Sequence, residues 1–389
     1  MAISELPTAY CGNVHPGRTV DEVIAGVRTV AGPAAARAGV PSSVGLWLPR
    51  SAVDACVRDP CEVDRLGSAL ADAGLTCHTL NAFPYGDFHA DVVKRAVYRP
   101  DWTTPERLDY TLACARLLAR LLPEGGDGSI STLPVGYAAD FAAADREDRL
   151  DAAAAKLVEA AVTLRRLEAE TGRRVRLAIE PEPDCVLEST ADAVAWFTWL
   201  RRIADRRGAA DAVASHLGVC FDVCHQAVLF EDVAASVATL DRAGVPIVKV
   251  HLSNALRLTD PRDSAARGAL ARYAEPKYLH QTFARSADDT PLRRDDLSAA
   301  FCEDPPADWL VADEWRVHFH VPIDRDTLGP LATTRDALVT AAAAIARLDD
   351  APHLEVETYT WGTAPLPAEG LPDRIAAELV AADRLVRPA

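Results

Sequence analysis

LGVCFDVCHQAV, Leu217 to Val228, is the stretch on which the fold turns. Four apolar or small residues (Leu217, Gly218, Val219, Cys220) lead into Phe221 and Asp222, and His225 follows three residues later, where a buried strand should be running out. A carboxylate at a strand end commonly caps the next helix or joins an ion pair. It can also belong to a site, and the rest of the chain must decide between these.

Short apolar runs followed by amphipathic stretches recur on both sides of this segment. Eight strands are expected, near Thr8–Asn13, Ser43–Leu48, Leu75–Asn81, Gly128–Leu133, Val175–Glu180, Leu217–Asp222, Ile247–His251 and Leu354–Thr358. Between them lie Ala-rich helical stretches with Arg and acidic residues on one face, such as Asp151–Thr171 and Ala191–Arg207. Eight βα units in one chain predict an α/β fold, a closed (β/α)8 TIM barrel over 1–389, with the strand ends gathered on one C-terminal face. The competing open, doubly wound sheet lacks its phosphate fingerprint, because Cys11 to Gly17 has the wrong glycine spacing. About a hundred residues separate the seventh and eighth strands, and Ser264–Pro306 is charged and broken by prolines. Residues 258–312 are therefore read as an insertion over the catalytic face.

The chain has 389 residues, 49% hydrophobic and 25% charged, the profile of a folded protein. Its formal charge of -16 disfavours nucleic acid as a partner, since phosphate binding needs clustered Lys and Arg. Nine cysteines without paired spacing, and an MAISELPTAY start lacking a basic region followed by an apolar run, suggest free thiols and a cytoplasmic location. With no run of ~20 apolar residues, membrane insertion is not expected.

Four expected strand ends carry ligand-type side chains: Glu180 in LAIEPEPD, Asp222, His251 in IVKVHLSN and Glu357 in HLEVETYTW. Carboxylates and an imidazole on one barrel rim suit a divalent cation such as Mn, Mg, Co or Zn. A cation would also neutralise carboxylates that a dry cavity could not otherwise hold charged. Strand alternation puts Glu180 on the face of Ala178, and puts Glu355 and Glu357 together; Glu357 is preferred as nearer the rim, with Glu355 left open. Asn13, His15, Trp47, Asn81 and Tyr85, at or just after strand ends, and Glu182 beside Glu180, are candidates for binding a polyhydroxy small molecule. Each of the five strand-end candidates could equally be a turn or packing residue. A core role is expected for His78.

These residues resemble the xylose isomerase-like TIM barrels, a superfamily of sugar isomerases, epimerases and apurinic-site endonucleases. There a Glu on the fifth strand, the Asp of an Asp-x-x-His on the sixth, a His on the seventh and a Glu on the eighth bind the metal, which match Glu180, Asp222, His251 and Glu357. The stretches YCGNVHPG, NAFPYGDFH, VKRAVYRPDW, GSISTLPVGY and VHFHVPI look more narrowly like the EboE branch, linked to metabolite traffic. The resemblance implies a metal-dependent isomerase or epimerase of a sugar or cyclitol-like carbonyl compound, with Glu180 and Glu357 as acid/base pair. It also implies, by analogy with the endonucleases, that His225, His318 and His320 serve either a second metal ion or the substrate. The alternatives are a multi-zinc phosphodiesterase or phosphatase and a metabolite carrier without turnover.

Overall fold

The computed structural model describes residues 6–141, 144–285, 291–365 and 370–387. Seven parallel strands come first: β1 (Thr8–Cys11), β2 (Ser42–Trp47), β3 (Thr79–Asn81), β4 (Asp127–Thr132), β5 (Arg174–Ile179), β6 (Leu217–Asp222) and β7 (Ile247–Leu252). Six short strands follow: β8 (Leu256–Leu258), β9 (Thr282–Arg285), β10 (Pro291–Arg294), β11 (Glu314–Val317), β12 (Thr327–Leu328) and β13 (Leu331–Thr333). The chain then returns to β14 (His353–Val356), which pairs in parallel with both β7 and β1 and closes the barrel. All eight expected strands are present, in the order and closure of a TIM barrel.

The helices form where the sequence supplies their ends. The expected Ala191–Arg207 helix runs Thr190–Arg206, started by a capping box in which Ser189 and Asp192 satisfy each other's backbone N–H groups. The Asp151–Thr171 helix begins earlier, at Arg146, and stops at Gly172, which takes the left-handed conformation that ends it. The main core lies between these helices and the outward faces of the strands, where Leu177, Ile179, Val219 and Val250 are buried. Among the described residues no helix is long and apolar enough to cross a membrane, and all nine cysteines are unpaired.

Inside the barrel the side chains are small or polar rather than the usual branched aliphatics. Lys249 and Glu355 form a fully buried ion pair at 2.5 Å, and Lys249 Nζ also donates to Leu80 O and Ser131 Oγ. Gly45 makes this layer sterically possible, since a Cβ there would lie 1.5 Å from Glu355 Oε1. His78 contacts Ser43 Oγ and packs edge-on against His353 on the last strand.

The six strands between β7 and β14 build an antiparallel sheet in the order β10-β9-β11-β8-β13-β12. It has its own core of Phe301, Trp309, Trp315 and Phe319. Residues 286–290, within the stretch 258–312, lie outside the described residues. The sheet is tied to the barrel loops at its near edge: Gln281 Nε2 donates to Tyr98 OH and Pro183 O. Lys94 Nζ reaches Glu275 O, Tyr278 O and Asp296 Oδ2.

Candidate functional site

The register of three adjacent strands sets the first part of the site. Asp222 on β6, His251 on β7 and Glu355 on β14 are aligned across the sheet, so three polar side chains share one level of the barrel. Glu180 and Glu357 sit one residue past β5 and one past β14. The result is that Glu180, Asp222, His251 and Glu357 each offer a ligand atom, all within 4.8 Å of one another and all buried. Ligand atoms ~2.1 Å from a divalent ion lie up to about 4.2 Å apart, so the set needs only a small contraction to close on one ion.

Asp222, Glu357 and His251 are each held from outside the cluster through one atom, which leaves the other to face inward, whereas among the described residues the Glu180 carboxylate hydrogen-bonds only to His251. Asp222 Oδ1 accepts from the backbone N–H of His225 at 2.9 Å, capping helix Val223–Val228, and from Ser253 Oγ at 2.8 Å. Its Oδ2 has no hydrogen-bond partner. Asp222 is thus a helix cap through one oxygen and a free inward carboxylate through the other. Glu357 Oε1 accepts from Asn13 Nδ2 at 2.9 Å and Asn81 Nδ2 at 3.1 Å, while Oε2 lies 3.0 Å from His251 Nδ1. Glu180 Oε1 is 3.0 Å from the same nitrogen and its Oε2 has no partner. His251 Nε2 is bound by Glu355 Oε2 at 3.1 Å, which turns Nδ1 toward the three carboxylates. Carboxylate partners of this kind fix the ring orientation of metal-binding histidines.

The electrostatics are those of a crowded anionic site. Burial pushes the Glu357 carboxyl up, but His251 and His320 outweigh it and bring it to about 2. For Asp222 burial again acts upward, and His225, His320 and His251 hold the group well below the usual carboxylate range. Burial pushes His251 down, against Cys220, Glu180 and Glu357, which raise it well above an ordinary imidazole. Orphaned buried oxygens on two carboxylates, surrounding one imidazole, fit a divalent cation better than they fit the histidine alone.

The three further histidines are also anchored through Nδ1: His225 to Pro181 O at 2.8 Å, His318 to Gln281 Oε1 at 2.9 Å, His320 to Glu357 O at 2.8 Å. His225 packs edge-on against His318 and His320, with ring centroids 4.6 and 5.7 Å away. They do not form one three-imidazole set: Asp222, His225 and His320 group together, and His318 groups with Cys224 and His320. Burial and the neighbouring imidazoles push His318 well below an ordinary histidine, which keeps it neutral.

Above the carboxylates lies a narrow cavity, with about 60 Å³ open to the centres of water molecules. Glu180, Glu182, Glu357, His225, His318, His320, Asn13 and Asn81 reach it. Asp222 and His251 lie beneath, fully buried. Glu182 accepts from Tyr98 OH at 2.7 Å, and burial raises its carboxyl to about 7.

Three expected binding residues do not line this cavity. The His15 ring is tucked against the helix Val20–Gly26, in space that exists only because residue 26 has no side chain; a Cβ there would lie 2.1 Å from the ring. Trp47 donates its indole N–H to Pro84 O and packs behind Phe88. Tyr85 turns outward between Tyr110 and the Arg50 and Arg107 guanidiniums. Residues the sequence did not single out take the wall instead: Phe88, Lys94 and Tyr98 from the loop after β3, Tyr278 from the β8–β9 connection and Tyr359 after β14. Only Tyr359, two residues past Glu357, carried a positional signal.

No protein-family model matches the chain, and no curated protein matches it. The narrower likeness to the EboE branch therefore has no family match behind it. Solved structures do match. An L-ribulose 3-epimerase (17% identity, 63% of this chain and 69% of that one, TM-score 0.40) and a D-allulose 3-epimerase from Methylomonas sp. (16%, 63% and 71%, TM-score 0.36) superpose only loosely. A xylose isomerase-like TIM barrel protein from Mycobacterium smegmatis, solved in complex with magnesium, is 13% identical, covers 99% of this chain and 98% of its own, and gives a TM-score of 0.54. Across nearly its whole length, then, this chain shares the (β/α)8 TIM-barrel fold of that protein.

Proposed function

We propose that this chain is a divalent-metal-dependent isomerase or epimerase of a sugar or cyclitol-like polyhydroxy carbonyl compound. The observation that carries the reading is the convergence of Glu180, Asp222, His251 and Glu357, with a buried oxygen on each of Glu180 and Asp222 that has no hydrogen-bond partner. When bound there, a divalent ion would polarise a carbonyl and its neighbouring hydroxyl and so stabilise enediolate charge.

The chain's own groups divide the remaining work. Asn13 and Asn81 occupy Glu357 Oε1, so Oε2 is the atom that can carry a proton. Glu180 Oε2 is the corresponding free atom across His251. One carboxylate takes the proton beside the carbonyl and the other returns it. Glu182, His318 and His320 face the cavity where substrate hydroxyls would lie. Phe88, Tyr278 and Tyr359 exclude water, the first from a barrel loop and the second from the segment 258–312, which we read as an insertion roofing the face. The cavity's one ammonium, Lys94, is already held by two carbonyls and Asp296, which favours a neutral polyol over a phosphorylated one. The EboE-like stretches suggest a setting in small-metabolite biosynthesis or traffic.

Metal content and hydrogen exchange test this reading together. Protein purified without chelator and reloaded with Mn, Mg, Co or Zn should hold one ion per chain. With a panel of ketoses and inososes in D2O it should catalyse metal-dependent deuterium uptake next to the carbonyl. A chain that takes up no divalent ion under any of these conditions refutes the proposal. Metal uptake without exchange on the whole panel would favour the carrier reading.

One observation favours a second reading, hydrolysis of a phosphate ester by several zinc ions. Asp222, His225 and His320 form a further group with ligand atoms within 4.8 Å, and His320 Nε2 has no partner. Two or more ions per chain, with phosphate release from simple aryl phosphates, would select it.

A further inference from the structure

We propose that a second cavity, reached by the same loop that follows Glu357, binds a phosphorylated aromatic compound of about nucleoside-monophosphate size. The cavity offers about 400 Å³ to the centres of water molecules. It lies between helix Ser264–Ala271 with its following turn, the segment Pro322–Pro330, and the start of helix Leu371–Val386. Among the described residues its chemistry is set by Arg272, Arg325, Arg374, Trp361 and Tyr273, against one carboxylate, Asp324.

Three guanidiniums around one space are out of character for a chain of net charge -16. Only Arg325 is neutralised, by Asp324 at 3.3 Å. Among the described residues no carboxylate comes within ion-pair distance of Arg272 or Arg374, although Arg374 is half-buried. The Arg374 guanidinium instead lies over the Trp361 indole, 5.0 Å from its centroid. Trp361 Nε1 donates to Glu378 Oε2 at 3.2 Å, which holds the indole in place. The wall is therefore a fixed planar surface of indole and guanidinium beside two more arginines. Such a surface stacks a flat ring and offers bidentate donors to a phosphate. The catalytic cavity has the opposite character, lined by carboxylates with its one ammonium already engaged. A ligand carrying a phosphate is thus directed to the second cavity.

The position ties this cavity to the loops of the first. Glu378 Oε1 accepts from Thr358 Oγ1 at 2.6 Å and from the Ile323 N–H at 3.1 Å. Thr358 directly follows Glu357, and Ile323 lies three residues after His320. The inference itself rests on the cavity's own residues and not on the reaction proposed above.

The test is calorimetric titration of the full, metal-loaded chain with adenosine 5′-monophosphate, adenosine and inorganic phosphate. The monophosphate should bind saturably, one per chain, with a Kd of ~1 mM or tighter. Adenosine alone and phosphate alone should each bind at least about tenfold more weakly, as should the monophosphate to Arg374→Ala and to Arg272→Glu, the latter a change at an exposed position that the fold should tolerate. Asp222→Asn, which alters only the metal centre, should leave the monophosphate affinity within about twofold. The proposal is overturned if no saturable binding occurs, if adenosine binds as tightly as its monophosphate, if neither arginine variant weakens binding, or if Asp222→Asn abolishes it.

Discussion

Asp222→Asn separates the structural and ligand roles of one side chain. The Asn Oδ1 can keep both acceptor bonds of the wild type, from the His225 N–H and from Ser253, so the helix cap survives. The inward Oδ2, orphaned in the wild type, becomes an amide NH2 that points donor hydrogens at the ion. The variant should therefore fold and fail to hold metal. An ion at about 100 times its Kd stabilises the folded state by ~2.7 kcal/mol. For 389 residues the unfolding entropy is roughly 0.8 kcal/mol/K, so the wild-type Tm should rise by about 3 °C on metal addition. Thermal melts of stripped and reloaded protein, with metal counted by mass spectrometry, read both quantities. The expected outcome is a rise and near-full occupancy for wild type, and neither for Asp222→Asn. Retention of both by the variant would refute Oδ2 as a ligand.

Glu378 should give the stability a pH dependence. Burial raises its carboxyl from 4.5 to about 8, so its contribution is complete below about pH 4.5 and lost as the pH rises through about 8. The loss amounts to as much as ~4–5 kcal/mol over that window. Glu378→Gln should flatten it, and parallel urea-unfolding stabilities of the two proteins at pH 5, 7 and 9 would contradict the assignment. Gly45→Ala would drive a Cβ into Glu355 Oε1, breaking its pairing with Lys249 and its hold on His251. A cost of ~3–5 kcal/mol is expected, together with a ~10–100-fold fall in metal affinity; an unchanged melt and affinity would show that Glu355 can move freely. His320→Ala should lower the metal count by one if a second ion binds with Asp222 and His225, and otherwise weaken polyol binding at constant metal. No change in either quantity would return His320 to a structural role.

What the sequence made legible follows from how local each feature is. The barrel strands read directly because both their faces are buried, giving short apolar runs such as Leu217–Cys220. The four ligands read because they stand at the ends of those runs. The second sheet did not, since its strands are two to four residues long, carry Arg257, Arg294 and Arg316, and pair across tens of residues. His15 illustrates the limit of positional reasoning. It follows β1 as a site residue would, but the absence of a side chain at Gly26 gives its ring another place to go. Tyr98 reaches the cavity from the end of a short 3-10 helix, Lys94–Tyr98, and Tyr278 from an irregular connection, both too short for a period to mark which side chain turns inward.

The two glutamates of the last strand show why charge, more than position, separates scaffold from site. Glu355 and Glu357 share a face of one strand, and the sequence offered only depth to distinguish them. In the folded chain Glu355 meets Lys249, a full positive charge two residues before His251 on β7, and that layer is balanced. Glu357 meets the amides of Asn13 and Asn81, which orient it without neutralising it. Within the four-residue shell three carboxylates therefore face a single imidazole. A divalent ion with neutral His251 would leave one net negative charge there, whereas protonated His251 alone leaves two. The neutral donors behind Glu357 keep the upper layer in need of a cation, and the Lys249–Glu355 pair beneath keeps His251 turned to receive it.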